Sequence, residues 1–202
     1  MTVELVSARL DAPPESVRGL YARLCGAERH RASRFRLERD RRRFIVARAQ
    51  LRGLLAARLD AAPESIELAY GRAGKPALAG RFAGSGWRFN LSHCGDLALY
   101  AFSRAGEVGV DLEAVHELRE ADELAARFFS RRENEAYRAL APRERPLGFF
   151  RCWTRKEALV KALGEGLSVA LAEVDVSAAP PGWRLHSFSP LPGFIAALAQ
   201  RR

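Results

Sequence analysis

Two segments constrain this chain more than any others, residues 152–163, CWTRKEALVKAL, and residues 108–113, VGVDLE. The first segment combines apolar residues with strong helix formers, which predicts an α-helix. On that helix Trp153, Glu157 and Lys161 recur every four residues and therefore share one face. The same spacing is typical of a surface ion pair that contributes about 0.3–0.5 kcal/mol, so the helix alone leaves a structural and a functional interpretation open.

The second segment predicts a β-strand on which two acids share a face. Asp111 and Glu113 are two residues apart, so both carboxylates point to the same side of the strand. Such a pair is either a solvent-facing acidic edge or a site for a hard cation, because Mg²⁺ prefers carboxylate oxygens and is often completed by phosphate oxygens. A third acid would favour the cation, and Glu157 is the first candidate and Glu133 the second.

Glu133 also has a purely structural interpretation. Ser130 is a favourable N-cap residue, and Glu133 follows it by three positions, which is the capping-box pattern at the start of a helix. Farther along the chain, Pro142 and Pro146 are expected to break the chain before the helix of residues 152–163. The segment GEG, residues 164–166, is expected to end that helix.

The remaining pattern is a mixture of helices and short strands. Apolar periodicity predicts helical structure over residues 15–24 and 29–59. Strands are predicted at residues 2–10, as an edge strand, and at residues 66–70, 87–91, 97–102, 108–112, 173–176, 183–188 and 194–198. Because the three strands between residues 87 and 112 follow one another closely, a meander is the economical arrangement.

Two turns present polar side chains. Ser92 and His93 lie where the predicted strand FNLSH ends in a turn. Lys75 lies between Gly74 and Pro76, which hold it on a defined loop. A histidine at a strand exit is more often an ordinary surface residue, although functional side chains also gather at such positions.

The formal charge of +9 and the pI near 10.3 predict attraction to an anionic partner. Charge alone does not separate nucleic acid, an acidic protein and a polyphosphate ligand. Only three of the 33 basic residues are lysines, Lys75, Lys156 and Lys161, which suggests sites that need a compact ammonium. The helical region of residues 29–59 carries arginines that form either a solvated basic face or a phosphate-binding surface, namely Arg41, Arg42, Arg43, Arg48 and Arg52.

The composition also predicts a compartment. The N-terminus lacks the basic and apolar regions of a signal peptide, and no run approaches the roughly 18 apolar residues of a membrane span. The three cysteines form no Cys-x-x-Cys pair and no zinc-ligand spacing. We therefore expect a cytoplasmic protein with no membrane segment and with reduced thiols.

In chain order, the segments FNLSH, GVDLE, RFFSRRE and WTRKEALVKALGEGLS resemble the motifs of the Sfp-type 4′-phosphopantetheinyl transferases. Proteins of this family move the phosphopantetheine arm of coenzyme A onto a serine of an acyl or peptidyl carrier protein. The resemblance spans residues 31–168 and implies an α+β fold of two similar halves related by pseudo-twofold symmetry, with the active site at their interface. We place the halves at residues 1–104 and 105–202.

The resemblance also implies the cofactor, the partners and the site residues. Mg²⁺, coenzyme A and an acidic apo carrier protein are expected, with no nucleic acid, no membrane and a monomeric chain. Asp111, Glu113 and Glu157 match the metal ligands, and Glu157 is a candidate to deprotonate the carrier serine. Lys161 matches the lysine near the pyrophosphate, so Asp111, Glu157 and Lys161 form the expected catalytic set. The expected coenzyme A contacts are Arg31, Arg43, Lys75, Ser92, His93, Lys156 and Lys161, with His93 placed for the 3′-phosphate.

Two residues depart from the family pattern. Glu165 stands where a lysine is common, and Glu28 stands where a basic residue is common. Three alternatives stay open, namely another Mg²⁺-dependent enzyme acting on a nucleotide diphosphate, a member of the family that has lost activity, and a basic nucleic-acid-binding protein. The nucleic-acid alternative leaves the acids of GVDLE and the loop around Lys75 without a role.

Overall fold

The computed structural model describes residues 3–164 and 171–202. The first group of elements contains the strands β1 (Glu4–Arg9), β2 (Leu68–Tyr70), β3 (Pro76–Leu78), β4 (Arg88–Cys94) and β5 (Leu97–Ser103), and the helices α1 (Pro14–Ala22), α2 (Gly26–Ser33) and α3 (Glu38–Leu59). Strands β1, β5 and β4 form an antiparallel sheet in that order, with β1 at an edge as predicted, and β2 pairs separately with β3.

The second group repeats this arrangement. It contains the strands β6 (Val108–Ala114), β7 (Trp183–Phe188) and β8 (Phe194–Arg201), and the helices α4 (Ala121–Phe128), α5 (Arg131–Arg138) and α6 (Arg145–Leu163). Its antiparallel sheet has the order β6, β8, β7. In both sheets a first strand leads through helices to a pair of strands, and the last strand of the group lies in the centre. The chain is therefore an α+β protein with two sheet-containing halves, which the resemblance predicted.

The predicted meander is wrong. Strands β4 and β5 pair, but β6 pairs with β8 in the second sheet, with Asp111 opposite Ala197. The far side of β5 is taken by β1, so β6 cannot add to it there. Instead β6 packs against β4 across the boundary between the sheets, and the Val110 N–H donates a 2.9 Å hydrogen bond to the Asn90 side-chain oxygen.

The hydrophobic core lies between each sheet and its long helix. In the first half α3 packs through Ile45, Leu51 and Leu55, and the Tyr100 hydroxyl donates to the Ala47 carbonyl at 3.0 Å. In the second half, the aromatic residues of α6 form a cluster with those of the preceding elements, namely Phe129, Tyr137, Phe149, Phe150 and Trp153. The burial of α3 and α6 on the two sheets fixes the positions of the side chains that they carry.

Helix α6 approaches β6 closely because Gly109 has no side chain. A Cβ at Gly109 would lie 2.0 Å from the Ala158 carbonyl oxygen and 2.9 Å from the Ala162 Cβ. Any larger residue would push the helix away. The glycine of GVDLE therefore lets α6 bring Lys161 into contact with Asp111 on the same strand.

Several predicted boundaries change. Helix α6 begins at Arg145, earlier than predicted, because Pro146 lies in its first turn, where a missing N–H needs no partner. Gly164 ends the helix with φ of 76°, as expected. The helical region of residues 29–59 divides into α2 and α3. Glu165 and the three residues after it in GEGLS lie outside the described residues.

Residues 173–176 are not a strand. Side chains satisfy their backbone instead of a neighbouring strand, because the Val176 N–H donates to Glu133 Oε1 at 2.5 Å and the Val174 carbonyl accepts from Lys156 Nζ at 2.5 Å. Within the ranges that the structure describes, no helix is both long enough and apolar enough to cross a membrane.

Candidate active site

Asp111 lies where β4, β6 and α6 meet. The residue is 3% exposed, because β6 holds it in the interior. Asp111 Oδ1 accepts a hydrogen bond from Ser92 Oγ on β4 at 2.9 Å and an ion pair from Lys161 Nζ on α6 at 2.5 Å. Asp111 Oδ2 is buried and has no hydrogen-bond partner among the described residues. The acid is therefore neutralised on one oxygen only, which rules out a solvent-facing acidic edge at this position.

A cavity of about 770 Å³ opens beside Asp111, and we call it the carboxylate cavity. Its lining includes Asp111, Glu113 and Glu157. Burial raises the pKa of Glu113, and the charge of Asp111 adds to this shift. Burial also raises the pKa of Glu157, although the positive charge of Lys161 acts in the opposite direction. The two glutamates therefore bind protons more tightly than exposed glutamates do.

A second cavity of about 350 Å³ adjoins the first, and we call it the cationic cavity. Arg31, Arg48 and Lys75 line it. Three residues line both cavities, namely His93, Glu157 and Lys161. The two cavities are therefore neighbours, one lined mainly by cations and the other by three carboxylates.

His93 stands at the junction of the two cavities. Partial burial lowers its pKa, and the positive charges of Lys161, Arg43 and Arg48 lower it further, although part of the ring reaches solvent. These charges favour the neutral imidazole. An anion that enters the cationic cavity would reverse part of this effect and favour the imidazolium.

Trp153 completes the predicted stripe on α6. Its ring stacks on Phe149 with centroids 6.0 Å apart and meets Phe128 edge-on at 5.8 Å. It also lines the carboxylate cavity together with Glu157 and Lys161. The prediction that these three residues share one face of the helix is confirmed, and Trp153 also packs in the aromatic cluster.

Comparison with known proteins decides the family. The family model described as 4′-phosphopantetheinyl transferase superfamily matches residues 107–189, and the model described as 4′-phosphopantetheinyl transferase, N-terminal, matches residues 13–104. The chain is 38% identical over 206 residues to the 4′-phosphopantetheinyl transferase HetI of Nostoc sp., an alignment that covers 98% of this chain and 86% of that protein. The chain belongs to the 4′-phosphopantetheinyl transferase superfamily. It is therefore an enzyme of that superfamily.

Other members of the superfamily are similar over smaller parts. The 4′-phosphopantetheinyl transferase AcpT of Salmonella typhimurium is 40% identical over 109 residues, which cover 54% of this chain and 55% of that protein. The human L-aminoadipate-semialdehyde dehydrogenase-phosphopantetheinyl transferase is 29% identical over 161 residues, which cover 76% of this chain and 52% of that protein.

In this transferase the carboxylates can be compared with the needs of a divalent cation. Among residues 3–164 and 171–202, no three His, Cys, Asp or Glu side chains converge into a ligand cluster. Asp111, Glu113 and Glu157 nevertheless line one cavity, and Asp111 Oδ2 is buried without a donor. A buried, unpartnered carboxylate oxygen is costly, and carboxylate oxygens are the ligands that Mg²⁺ prefers. The donor set therefore fits a hard divalent cation.

Arg48 is a site residue that the sequence did not single out. Its residue exposure is 7%, and its Nη1 is buried without a hydrogen-bond partner among the described residues. Its guanidinium lies over the rings of Phe44 and Tyr70, 5.7 and 5.6 Å from their centroids. The signal was available, because Arg48 follows Phe44 by four residues beside the buried stripe of α3.

Lys75 lines the cationic cavity but is already engaged. Its Nζ pairs with Glu107 at 2.7 Å and donates to the Ala162 carbonyl at 2.8 Å, near the C-terminus of α6. Arg31, by contrast, is exposed and lies over the Phe44 ring at 5.3 Å from its centroid. The structure therefore places both predicted cations in the lining of the cationic cavity. Lys75 has an ion-pair partner there, whereas Arg31 lies against an aromatic ring.

Two predicted contacts are not brought to either cavity. Arg43 pairs with Asp96 at 2.7 Å. Lys156 is 1% exposed and pairs with Glu133 at 2.7 Å, and it donates to the Leu171 and Val174 carbonyls. Successive residues on a helix point about 100° apart, so Lys156 faces the 171–176 segment while Glu157 faces the cavities.

Two acids that the sequence left ambiguous have structural roles. Glu133 forms the predicted capping box with Ser130 and neutralises Lys156, so it is not available to the carboxylate cavity. Glu28 accepts from the Cys25 N–H at 3.1 Å and pairs with Arg52 at 2.6 Å, and both charges are buried. The arginines of α3 are therefore not a uniform solvated face.

Proposed function

We propose that this chain transfers the 4′-phosphopantetheine arm of coenzyme A to a serine hydroxyl of an apo acyl or peptidyl carrier protein, with Mg²⁺, and releases 3′,5′-ADP. One observation carries the proposal, the adjacency of the cationic and carboxylate cavities, which share His93, Glu157 and Lys161 in their linings. The polyanionic nucleotide needs positive charge where it binds, and the bond that is cut needs carboxylates beside it that can hold a cation.

The cationic cavity would hold the nucleotide end of coenzyme A. Arg48 offers an unpartnered guanidinium nitrogen, and Arg31 and Lys75 add positive charge to the lining. We assign the 3′-phosphate to His93 and Arg48, because an arginine fork suits phosphate oxygens. Arg43 would act through its field, which already lowers the pKa of His93.

The carboxylate cavity would hold the cation and the reacting groups. Asp111, Glu113 and Glu157 would be its ligands, and Ser92 orients Asp111 through the 2.9 Å hydrogen bond. The Mg²⁺ ion supplies positive charge that neutralises the pyrophosphate when bound. Lys161 lines both cavities, so its ammonium can meet the phosphate oxygens beside it.

The transfer itself requires a proton acceptor and a stabilised leaving group. The serine oxygen forms a bond to the β-phosphorus of coenzyme A, and the bond from that phosphorus to the bridging oxygen breaks, so 3′,5′-ADP leaves with the electron pair. Glu157 would take the serine proton, directly or through water, since a carboxylate within reach of the hydroxyl can act as a general base. Lys161 would stabilise the charge on the departing phosphate.

The charge of the chain supports an acidic protein partner. The formal charge of +9 favours encounter with acidic carrier proteins and with coenzyme A over cationic or neutral partners. Because both halves of the site lie in one chain, we propose that it acts as a monomer. We expect it to work in the cytoplasm, where coenzyme A and carrier proteins are available.

The test is to incubate the protein with coenzyme A, Mg²⁺ and a panel of purified apo carrier proteins and to weigh each carrier by intact mass spectrometry. We expect at least one carrier to gain one phosphopantetheine unit, and its Ser→Ala variant to gain none. The proposal fails if no carrier gains mass under conditions in which another transferase of the superfamily modifies the same carriers.

A further inference from the structure

We infer that the Lys161 ammonium is the resident counter-charge of Asp111, and that a divalent cation bound by Asp111 competes with it and drives it toward the cationic cavity. This inference rests on the proposed function for the identity of the cation.

The contacts of Lys161 carry the inference. Its Nζ lies 2.5 Å from Asp111 Oδ1 and 3.2 Å from Ser92 Oγ. Asp111 is 3% exposed, so water and salt screen this pair weakly. The ammonium therefore occupies one of the two oxygens that a cation would use, and it does so under strong attraction.

The side chain of Lys161 also has open space into which it can move. Its side chain is 30% exposed and lines both cavities. Lys156 differs from Lys161, because its side chain is fully buried, pairs with Glu133 and donates to two backbone carbonyls. Of these two lysines on α6, only Lys161 can leave its partner by a change of side-chain rotamer.

The physical consequence is a coupling between the two cavities. An ammonium and a divalent cation repel each other when both approach one carboxylate. Entry of the cation therefore weakens the ion pair between Lys161 and Asp111. The ammonium is then free to contact an anion in the cationic cavity. Because linkage is reciprocal, an anion that attracts Lys161 also raises the affinity of the carboxylates for the cation.

The experiment titrates Mn²⁺ alone, with no coenzyme A and no carrier protein, and follows free Mn²⁺ by electron paramagnetic resonance. The informative variant is Lys161→Gln, and Lys161→Met is a second variant if the first unfolds. We expect Lys161→Gln to bind Mn²⁺ at least about fivefold more tightly than the native chain, within the usual range of coupling factors.

Two controls separate the pair from general electrostatics. Arg127→Gln removes a cation from the same carboxylate cavity, but Arg127 forms no ion pair in the described part of the chain and lies over the Phe128 ring. It should change the Mn²⁺ affinity by less than about twofold, since an exposed charge is screened. Lys161→Arg keeps the charge and should stay close to the native affinity.

The outcomes are distinct. Equal or weaker Mn²⁺ binding by Lys161→Gln, including undetectable binding by both proteins, overturns the inference. A gain of the same size in Arg127→Gln overturns it as well, because the effect would then belong to the cavity and not to the pair. Failure of the proposed function appears elsewhere, as native protein that modifies no carrier, and it leaves the Mn²⁺ comparison readable.

Discussion

Ser92 on β4 donates a 2.9 Å hydrogen bond to Asp111 on β6, and this bond joins the first half of the chain to the second at the centre of the site. The two strands belong to different sheets, so no backbone ladder holds the two side chains together. Side-chain contacts and the packing of β6 against β4 bring the Ser92 and Asp111 side chains together instead.

The first prediction concerns Asp111. Asp111→Asn should lower kcat/KM for carrier modification by at least about 10³-fold, because it removes a charged ligand from the proposed cation. Ser92→Ala removes one hydrogen bond to a charged group and should cost about 10- to 100-fold. Rates measured over a Mg²⁺ titration check both values. Retained activity with an unchanged Mg²⁺ dependence in Asp111→Asn would count against the ligand role.

The second prediction concerns Arg48. Arg48→Met should raise the KM for coenzyme A by about 10- to 100-fold, because a buried charge-assisted contact to phosphate is lost. The native protein should favour coenzyme A over 3′-dephospho-coenzyme A, and the variant should lose most of that preference. Arg39→Met is the matched control, since Arg39 lies on the same helix with an exposed side chain. Equal preference in native protein and Arg48→Met would refute the 3′-phosphate assignment.

The third prediction concerns the buried pair of Lys156 and Glu133. Lys156→Met should lower the free energy of unfolding by about 3–5 kcal/mol, because it leaves a buried carboxylate without its counter-charge. The double variant Lys156→Met with Glu133→Gln should recover part of that loss. Urea unfolding followed by circular dichroism measures both. If the double variant is no more stable than the single one, the loss does not come from an unpaired charge.

The fourth prediction concerns the proton affinity of Glu157. Burial raises its folded-state pKa above the unfolded value, so the native state binds the proton more tightly. Stability from this group should therefore be fully present below the unfolded pKa and be lost as pH rises through the folded pKa. Carrier modification should show the opposite trend, because the proposed base must be ionised.

Glu157→Gln separates these two effects. The variant should lose transfer activity and should melt at a higher temperature than the native chain at pH 8, by about 1–3 °C. The difference in Tm should shrink as pH falls. A lower Tm for Glu157→Gln at pH 8 would show that the ionised carboxylate is not a destabilising group in the folded chain.

The fifth prediction concerns Gly109. Gly109→Ala should destabilise the chain by about 1–3 kcal/mol or more, because the added methyl group overlaps the backbone of α6. Activity should fall as well, since α6 carries Glu157 and Lys161. Gly19→Ala is the control, because nothing lies within 4 Å of a Cβ at that position on α1. Similar stability changes in the two variants would argue against the close approach of α6 and β6.

Local rules explain much of what the sequence determined. The stripe of Trp153, Glu157 and Lys161 follows from the helical period, and the cap at Ser130 and Glu133 follows from a spacing of three. The helix end at Gly164 follows from its freedom to adopt positive φ. These features depend only on neighbours in the chain, so the sequence predicts them before any packing is known.

The failures share one cause. The pairing of β6 with β8 and not with β5 involves residues that are far apart in the chain, and β1 decides it by occupying the edge of β5. Residues 173–176 are not a strand because Glu133 and Lys156 satisfy their backbone from another element. Strand propensity carries no information about which strand pairs with a given edge.

The site shows the same division. The sequence determined which residue types are present and which faces of β6 and α6 carry them, and this was enough to select Asp111, Glu113, Glu157 and Lys161. Only the tertiary structure decided that Arg48 faces the cationic cavity while Lys156 faces a buried acid. The reason is physical, because the burial and pairing of a charge depend on the elements packed against it, and a helical period gives the direction of a side chain but not what it meets.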